Sequence, residues 1–357
     1  MRRVAQLAQV PLTLTLSPEY GGEGTRPMHP KFLHLLRCPE TGQALALHSQ
    51  RTDRHGQVIT GMLTAPGGRT YPIVRGVPRF VSAEHYAASF GYEWTRWPRV
   101  QFESENQGRP MEGHTTRMWE RITAATDDQI QGKTIVDFGC GPGRFLDVVR
   151  RKGGIAVGID LSAAVDAARR NFADDPDVLI VQGDLFRPPL RAGSFDGGFS
   201  IGVLHHTPDP ARGFSALAEL IRPGGWVSCC VYPKNDFYDF PSVRRFRALH
   251  LRLRKSFGYR FAMGYSHLAG YAIAPLVRRL KRLGLRQTMN YVERQWLVSL
   301  YLKDVRWRVL DTFDAITPEI ATTHTTEEVS QWMDQANCEA VRVTPWCPTS
   351  LAGRRAA

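Results

Sequence analysis

A chain of 357 residues with 43% hydrophobic content is long enough to bury a full core and a second module, and it reads as a soluble globular protein. No apolar run reaches the length needed to cross a bilayer. Six cysteines, scattered apart from the adjacent Cys229 and Cys230, argue against a disulfide framework and for a reducing cytoplasm. In chain order, residues 1–27 start basic, but their apolar stretch is weak and broken by Thr and Pro. They make a poor signal peptide and are expected to be a disordered or non-native leader, with Met28 a candidate start.

Residues 28–84 contain LLRCPETGQALAL and, after a polar hairpin-like stretch, GMLTAPGGRTYPIVRGVPRFV, the pattern of a small β module. This stretch resembles zinc-ribbon-like proteins that partner or precede methyltransferases, in which two Cys-x-x-Cys knuckles hold zinc. Here Cys38 stands alone: its partner position is Thr41, and the second knuckle has Thr64 and Gly67. One thiolate cannot build a tetrahedral structural site, so a metal-free remnant is expected, packed through Leu45, Leu47, Met62, Tyr71, Ile73 and Phe80. Residues 85–125 form an aromatic linker with helices. Its Phe90, Tyr92, Trp94 and Trp97 either join the small module to the large one, or place Tyr92 and Trp94 against a cationic cofactor or the substrate.

The run VDFGCGPGRF, Val136 to Phe145, reads as a buried strand, a glycine turn and a helix beginning near Arg144. In an open parallel sheet, such a turn and helix N-terminus receive an anionic part of a ligand. A dinucleotide fingerprint would need a small residue where Arg144 stands, which penalises a nicotinamide or flavin cofactor. The run instead resembles the glycine loop of class I S-adenosylmethionine-dependent methyltransferases. The likeness continues in order through IAVGIDLS, VLIVQGDL, FDGGFSIGVLHHTPDP and LIRPGGWVSCCVY, covering about residues 130–232.

The resemblance implies an α/β fold with a Rossmann-like seven-stranded sheet, its core at 126–235, and S-adenosyl-L-methionine as cofactor. It assigns cofactor contacts to Asp137, Gly139, Cys140, Gly141, Gly143, Asp160, Leu161, Asp184, Leu185 and Ile201. Asp160 would accept the ribose hydroxyls, Asp184 with the Leu185 N–H would hold the adenine, and Asp137 would lie near the methionine amino group. A strand-end turn acid is the plain alternative for Asp160 and Asp184. For Asp137 it is an acid that ties down neighbouring backbone. Cys140, Cys229 and Cys230 sit in apolar or glycine contexts and read as packing residues, not nucleophiles. At the fourth strand tip, His206 is a candidate general base and His205 a candidate substrate contact.

Residues 236–305 are read as a helical basic lid inserted after the fifth strand. The formal charge of +12 is concentrated there: between Pro241 and Val292 stand twelve Lys or Arg and no Asp or Glu, which leaves the remainder formally neutral. A solvated lid, an anionic substrate or lipid surface, and nucleic acid all fit that composition. Residues 306–357 return to the core, with a capping box at Thr325 and Glu328, a helix burying Val329, Trp332 and Met333, and a final strand near Ala340 to Thr344. LDTFDAITPE with HTTEEV resembles the active-site return loop of bacterial methyltransferases, which makes Asp314 and His324 candidate catalytic residues; a turn acid and a capping-region histidine are the plain alternatives.

The leading expectation is methyl transfer to a small-molecule or lipid-linked metabolite, with no metal required and the acceptor O, N or C. An RNA methyltransferase using the basic insertion is one rival, weakened by Ser200-Ile201-Gly202-Val203 where base-amino methylases carry Asn-Pro-Pro-Tyr or Asp-Pro-Pro-Tyr. A non-catalytic cofactor-binding scaffold is the other. A cytoplasmic protein is expected, with a peripheral membrane position open through the basic block.

Overall fold

In the computed structural model, residues 27–81, 86–297 and 299–357 are described; the expected leader therefore lies outside the described residues, apart from Pro27. Seven strands form one sheet: β5 (Thr134–Phe138), β6 (Ile155–Asp160), β7 (Val178–Gln182), β8 (Phe195–Ile201), β9 (Ile221–Cys230), β10 (Cys338–Val343) and β11 (Ser350–Arg355). Their order is β10-β11-β9-β8-β5-β6-β7. The five strands from β9 to β7 pair in parallel, whereas β11 runs antiparallel to both β9 and β10. Parallel strands covered on both faces need near-continuous apolar sequence, which TIVDF and VLIVQ supply.

Side chains alternate between two cores. Val136, Phe138, Val157 and Ile159 face α5 (Pro210–Leu220) and α11 (Thr326–Gln335) through Phe214, Leu217, Val329 and Met333. Ile135, Ala156, Val178 and Ile180 face α2 (His114–Thr123), α3 (Arg144–Arg151) and α4 (Ala164–Asn171) through Trp119, Ile122, Leu146, Val149 and Val165. This is the α/β Rossmann-like architecture. Chain order reverses across the β5–β8 pairing, so the crevice at the carboxyl ends of those strands is where a ligand belongs.

The strand expected at Ala340–Thr344 is β10, which starts two residues earlier, and it is not the last. Ser350–Arg355, read as part of the tail, inserts between β9 and β10. Leu351, Ala352 and Gly353 are buried there without any polar alternation to signal a strand.

The N-terminal strands β1 (Ala46–Thr52), β2 (Val58–Thr64), β3 (Thr70–Val74) and β4 (Val77–Pro78) form an antiparallel sheet in sequential order. Leu45, Tyr71 and Ile73 are buried in it, while Leu47 and Phe80 are partly buried against the same core. That core is continuous with one face of the large sheet, and the module closes the outer edge of β7. The Phe80 N–H donates to Gln182 O at 2.9 Å, and Arg79 bonds Asp166 at 2.6 Å. Covering an edge strand removes a template for unwanted pairing.

The insertion is helical, as expected. It comprises α6 (Pro241–Phe257), then α7 (Arg260–Leu268) running through a π turn (Ala269–Ile273) into α8 (Ala274–Arg282), then α9 (Arg286–Gln295). Helix α10 (Val305–Ile316), which the sequence reading grouped with the returning core, packs with α6 and α7 around Val243, Ala262, Tyr265 and Phe313. No helix among the described residues is long and apolar enough to cross a membrane.

Candidate functional site

The turn after β5 is built for close approach. Gly139 sits at φ +98°, and a Cβ there would meet Val203 Cγ1 at 2.4 Å; Gly141 sits at φ +52°, with Trp94 Nε1 3.2 Å from the position of a Cβ. The N–H groups of Gly139 and Cys140 both donate to Ile159 O, tying the loop to β6. Asp160, at the tip of β6, accepts from Gly141 N at 2.9 Å, and its other oxygen accepts from Ser162 N at 2.8 Å and Ser162 Oγ at 2.7 Å. These bonds, all made within the chain, hold the shape of the loop.

A cavity of about 330 Å³ opens above this loop. Gly139, Cys140, Gly141, Asp160, Leu161, Leu185 and Ile201 line it, as do Trp94, His205, His206 and Asp314. Asp137, Gly143 and Asp184 are not among the lining residues. Asp137 is 1% exposed, its Oδ2 has no hydrogen-bond partner among the described residues, and burial pushes its carboxyl well above the usual range although Arg144 opposes this. Asp184 accepts from Phe186 N at 2.9 Å, and Gly143 starts α3 at φ +90°. The positive-φ loop, the strand-tip acid and the orphaned Asp137 oxygen together fit a cofactor that carries an amino acid group and a ribose.

Two expected site residues lie elsewhere. Tyr92 is 41% exposed and stacks on Tyr259 at 4.4 Å, joining α1 (Ala88–Arg96) to the insertion. His324 is held by Glu328 at 3.1 Å and Thr322 at 2.8 Å against Trp332, so its ring belongs to the cap of α11 and not to the cavity lining.

A methyltransferase-domain family profile matches residues 136–229, the stretch from the glycine loop to β9. The ubiquinone biosynthesis O-methyltransferase of Ralstonia nicotianae is 30% identical over 186 residues, covering 50% of this chain and 74% of that protein. The chain belongs to the S-adenosylmethionine-dependent methyltransferases. The enzyme of the same name from Paracidovorax citrulli is 37% identical over 105 residues, 28% of this chain and 43% of that one. A solved S-adenosylmethionine-dependent methyltransferase from Mesorhizobium loti is 31% identical over 32% of this chain and 52% of that chain, with a TM-score of 0.29. The chain spans between 33% and 58% of the length of the first three curated relatives that it matches.

The far wall of this methyltransferase's cavity comes from the insertion and α10. Tyr232 Oη donates to Asp314 at 3.0 Å, and Tyr232 stacks on Tyr238 with ring centres 3.7 Å apart. Asp311, one turn before Asp314, accepts from Tyr238 Oη at 2.8 Å, Tyr301 Oη at 3.0 Å and Ser299 Oγ. Burial, reinforced by Asp311, pushes Asp314 up to about 6. The His206 Nδ1 lies 2.8 Å from Ile320 O; as its donor, it leaves Nε2 as a buried lone pair without a partner among the described residues. Burial takes His206 down to about 3, and both ring nitrogens of His205 are buried beside Tyr232 without a hydrogen-bond partner among the described residues.

Sequence reasoning missed Tyr86, Tyr232, Tyr238 and Asp311. Tyr232 directly follows the fifth strand, and the strand-tip rule would have found it. Tyr86 lies near Asp184 and Asp160, which together with burial push it up to about 12. Arg144, used in the sequence only to weigh against a dinucleotide, lines the cavity with Asp314, Asp137 and Glu93 as its charged neighbours. Also on the lining, Cys347 Sγ lies 3.5 Å from Cys230 Sγ, and the hydrogen bond between them brings Cys347 down to about 7.

Proposed function

We propose that this protein transfers the methyl group of S-adenosylmethionine to a hydroxyl of a small or lipid-linked metabolite. One observation carries the reading: the Asp160-clamped glycine loop and the Asp314–Tyr232 pair open onto the same concave cavity, whose lining is mostly aromatic and apolar, with Arg144, Asp160, Asp311 and Asp314 among its polar groups. That is the form of a small-molecule site. The names of the O-methyltransferase relatives support a hydroxyl acceptor.

In this reading the loop from Gly139 to Gly143 and the N-terminus of α3 take the methionine end, with Asp137 toward its amino group. Asp160 and Leu161 take the ribose, Asp184 and Leu185 the adenine, and Ile201 supplies an apolar wall. Trp94 presents an aromatic face beside Gly141, where a cation is attracted to it. When bound, the cofactor supplies an activated methyl group to an in-line nucleophile. What this chain must add is position and a proton acceptor. Asp314, raised to about 6, is a stronger base than His206, which burial lowers to about 3. We assign the proton to Asp314 and the shape of the acceptor pocket to His205 and His206. The N-terminal sheet is read as a zinc-ribbon-like module without metal, in which Cys38 Sγ meets Tyr71 Oη at 3.2 Å.

Calorimetry with S-adenosylmethionine tests the cofactor half. Asp160→Ala is expected to abolish binding, and unchanged affinity would sink the assignment. Incubation of the protein with methyl-labelled cofactor and cell extract, followed by fractionation, tests the acceptor. Label in metabolites or lipid is expected, and label in RNA would overturn the small-molecule reading.

A further inference from the structure

The outer face of the insertion is apolar and basic at once. Along the continuous rod from α7 to α8, Ala262, Tyr265, Ala269, Ala274 and Val277 are buried, and a Cβ on Gly270 would meet Val309 Cγ2 at 2.7 Å, so this side is pressed onto α10. At the complementary helical spacing Leu268, Tyr271 and Leu276 stand out with 51%, 59% and 56% exposure, and Leu283 and Leu285 continue the patch. A helix buried on one side ordinarily turns polar residues outward. Of the twelve large hydrophobic residues exposed among those described, ten lie between Leu249 and Tyr301. That concentration in one inserted segment marks a contact surface and not scattered apolar exposure.

The charges separate into two groups. Those with inward work are engaged: Arg247 donates to Ala315 O at 2.9 Å, Arg278 to Leu300 O at 2.8 Å, Lys281 pairs with Glu293 and Arg254 with Glu319. Arg260, Arg279, Arg282 and Arg286 are exposed and form no ion pair among the described residues, in a stretch without a single acid.

We propose that this face seats the protein on an anionic lipid surface. Leucine and tyrosine side chains enter the boundary between headgroups and acyl chains, while the arginines meet lipid phosphates. Nucleic acid would reward the arginines and leave the leucines unused. A second copy would oppose one basic patch to another across an apolar contact, which like charge disfavours. An anionic bilayer surface uses both features. The proposal stands apart from the chemistry of the cavity, so its failure would leave the methyl-transfer reading untouched.

The test is co-sedimentation of the full-length protein with vesicles of phosphatidylglycerol and phosphatidylcholine in equal parts, and of phosphatidylcholine alone. Binding is expected to the anionic vesicles and only weakly to the neutral ones. Each basic residue near the surface contributes about fivefold in affinity. Replacing Arg279, Arg282 and Arg286 with Glu should therefore cost about a hundredfold or more. The L268E/L276E pair should also release the protein, including at low salt. Unchanged melting curves and cofactor affinity identify both variants as folded. Absence of vesicle binding by the native chain would overturn the proposal. Adhesion that survives L268E/L276E would overturn the insertion mode. A dimer abolished by L268E/L276E without vesicle binding would assign the patch to a second copy, and tighter binding to single-stranded RNA than to vesicles would assign it to nucleic acid.

Discussion

At the scale of single residues, the buried carboxyl groups decide how the proposed site should respond to pH. Asp314, held up to about 6, is ionised above that value and protonated below it, and a proton acceptor must be ionised. The rate constant kcat/KM should fall about tenfold per pH unit below about 6, and Asp314→Asn should lower kcat and flatten that limb. A limb that persists in the variant would move the proton to another group. Glu93 poses a different question. It is 0% exposed, neither oxygen has a hydrogen-bond partner among the described residues, and burial followed by repulsion from Asp314 raises it well above 4.5 despite the attraction of Arg144. A carboxyl raised in the folded state takes up a proton on folding. Its penalty is absent below the unfolded value and grows as pH rises through and above it. Glu93→Gln should therefore raise stability by about 1–3 kcal/mol at pH 8 and much less near pH 4.5, read from urea unfolding at the two pH values. At Cys347, with the only pKa on the thiol pair near neutrality, alkylation should outpace that of Cys230, and bound cofactor should slow it if both share the cavity.

Elements of secondary structure show where local sequence suffices. Both halves of the Thr325–Glu328 capping box form, and α11 buries the expected Val329, Trp332 and Met333. Thr325→Ala should cost about 1 kcal/mol in chemical unfolding and leave cofactor affinity unchanged, because α11 packs on the face of the sheet away from the glycine loop. Strands β5 to β8 were legible for a related reason: their apolar runs are bounded by glycine turns or strand-tip acids, and both signals lie within a few residues. Strand β11 was not legible. Its SLAGRR carries no alternation, and only the neighbours β9 and β10 define it. The π turn at Ala269–Ile273 likewise has no sequence signature in Ala-Gly-Tyr-Ala-Ile.

Over the whole molecule, the returning strands close the sheet while the insertion and α10 close the cavity. Removing residues 350–357 strips β11 from both partners and leaves β9 with an open edge, so the shortened protein should aggregate on size-exclusion chromatography where the full chain elutes as a single species. The sequence alone determined strands β5 to β8, the glycine loop, Asp160 at its strand tip and the family, because each depends on residues that are neighbours along the chain. Tertiary structure decided the acceptor wall. Tyr232 meets Asp314 across 82 positions and Cys230 meets Cys347 across 117, contacts that no local pattern encodes. It also separated His206, on the cavity, from His324, in a helix cap, although both are histidines beside threonine. The difference is set by a hydrogen bond to the Ile320 carbonyl in one case and packing against Trp332 in the other, and the first of these contacts is made by distant segments brought together.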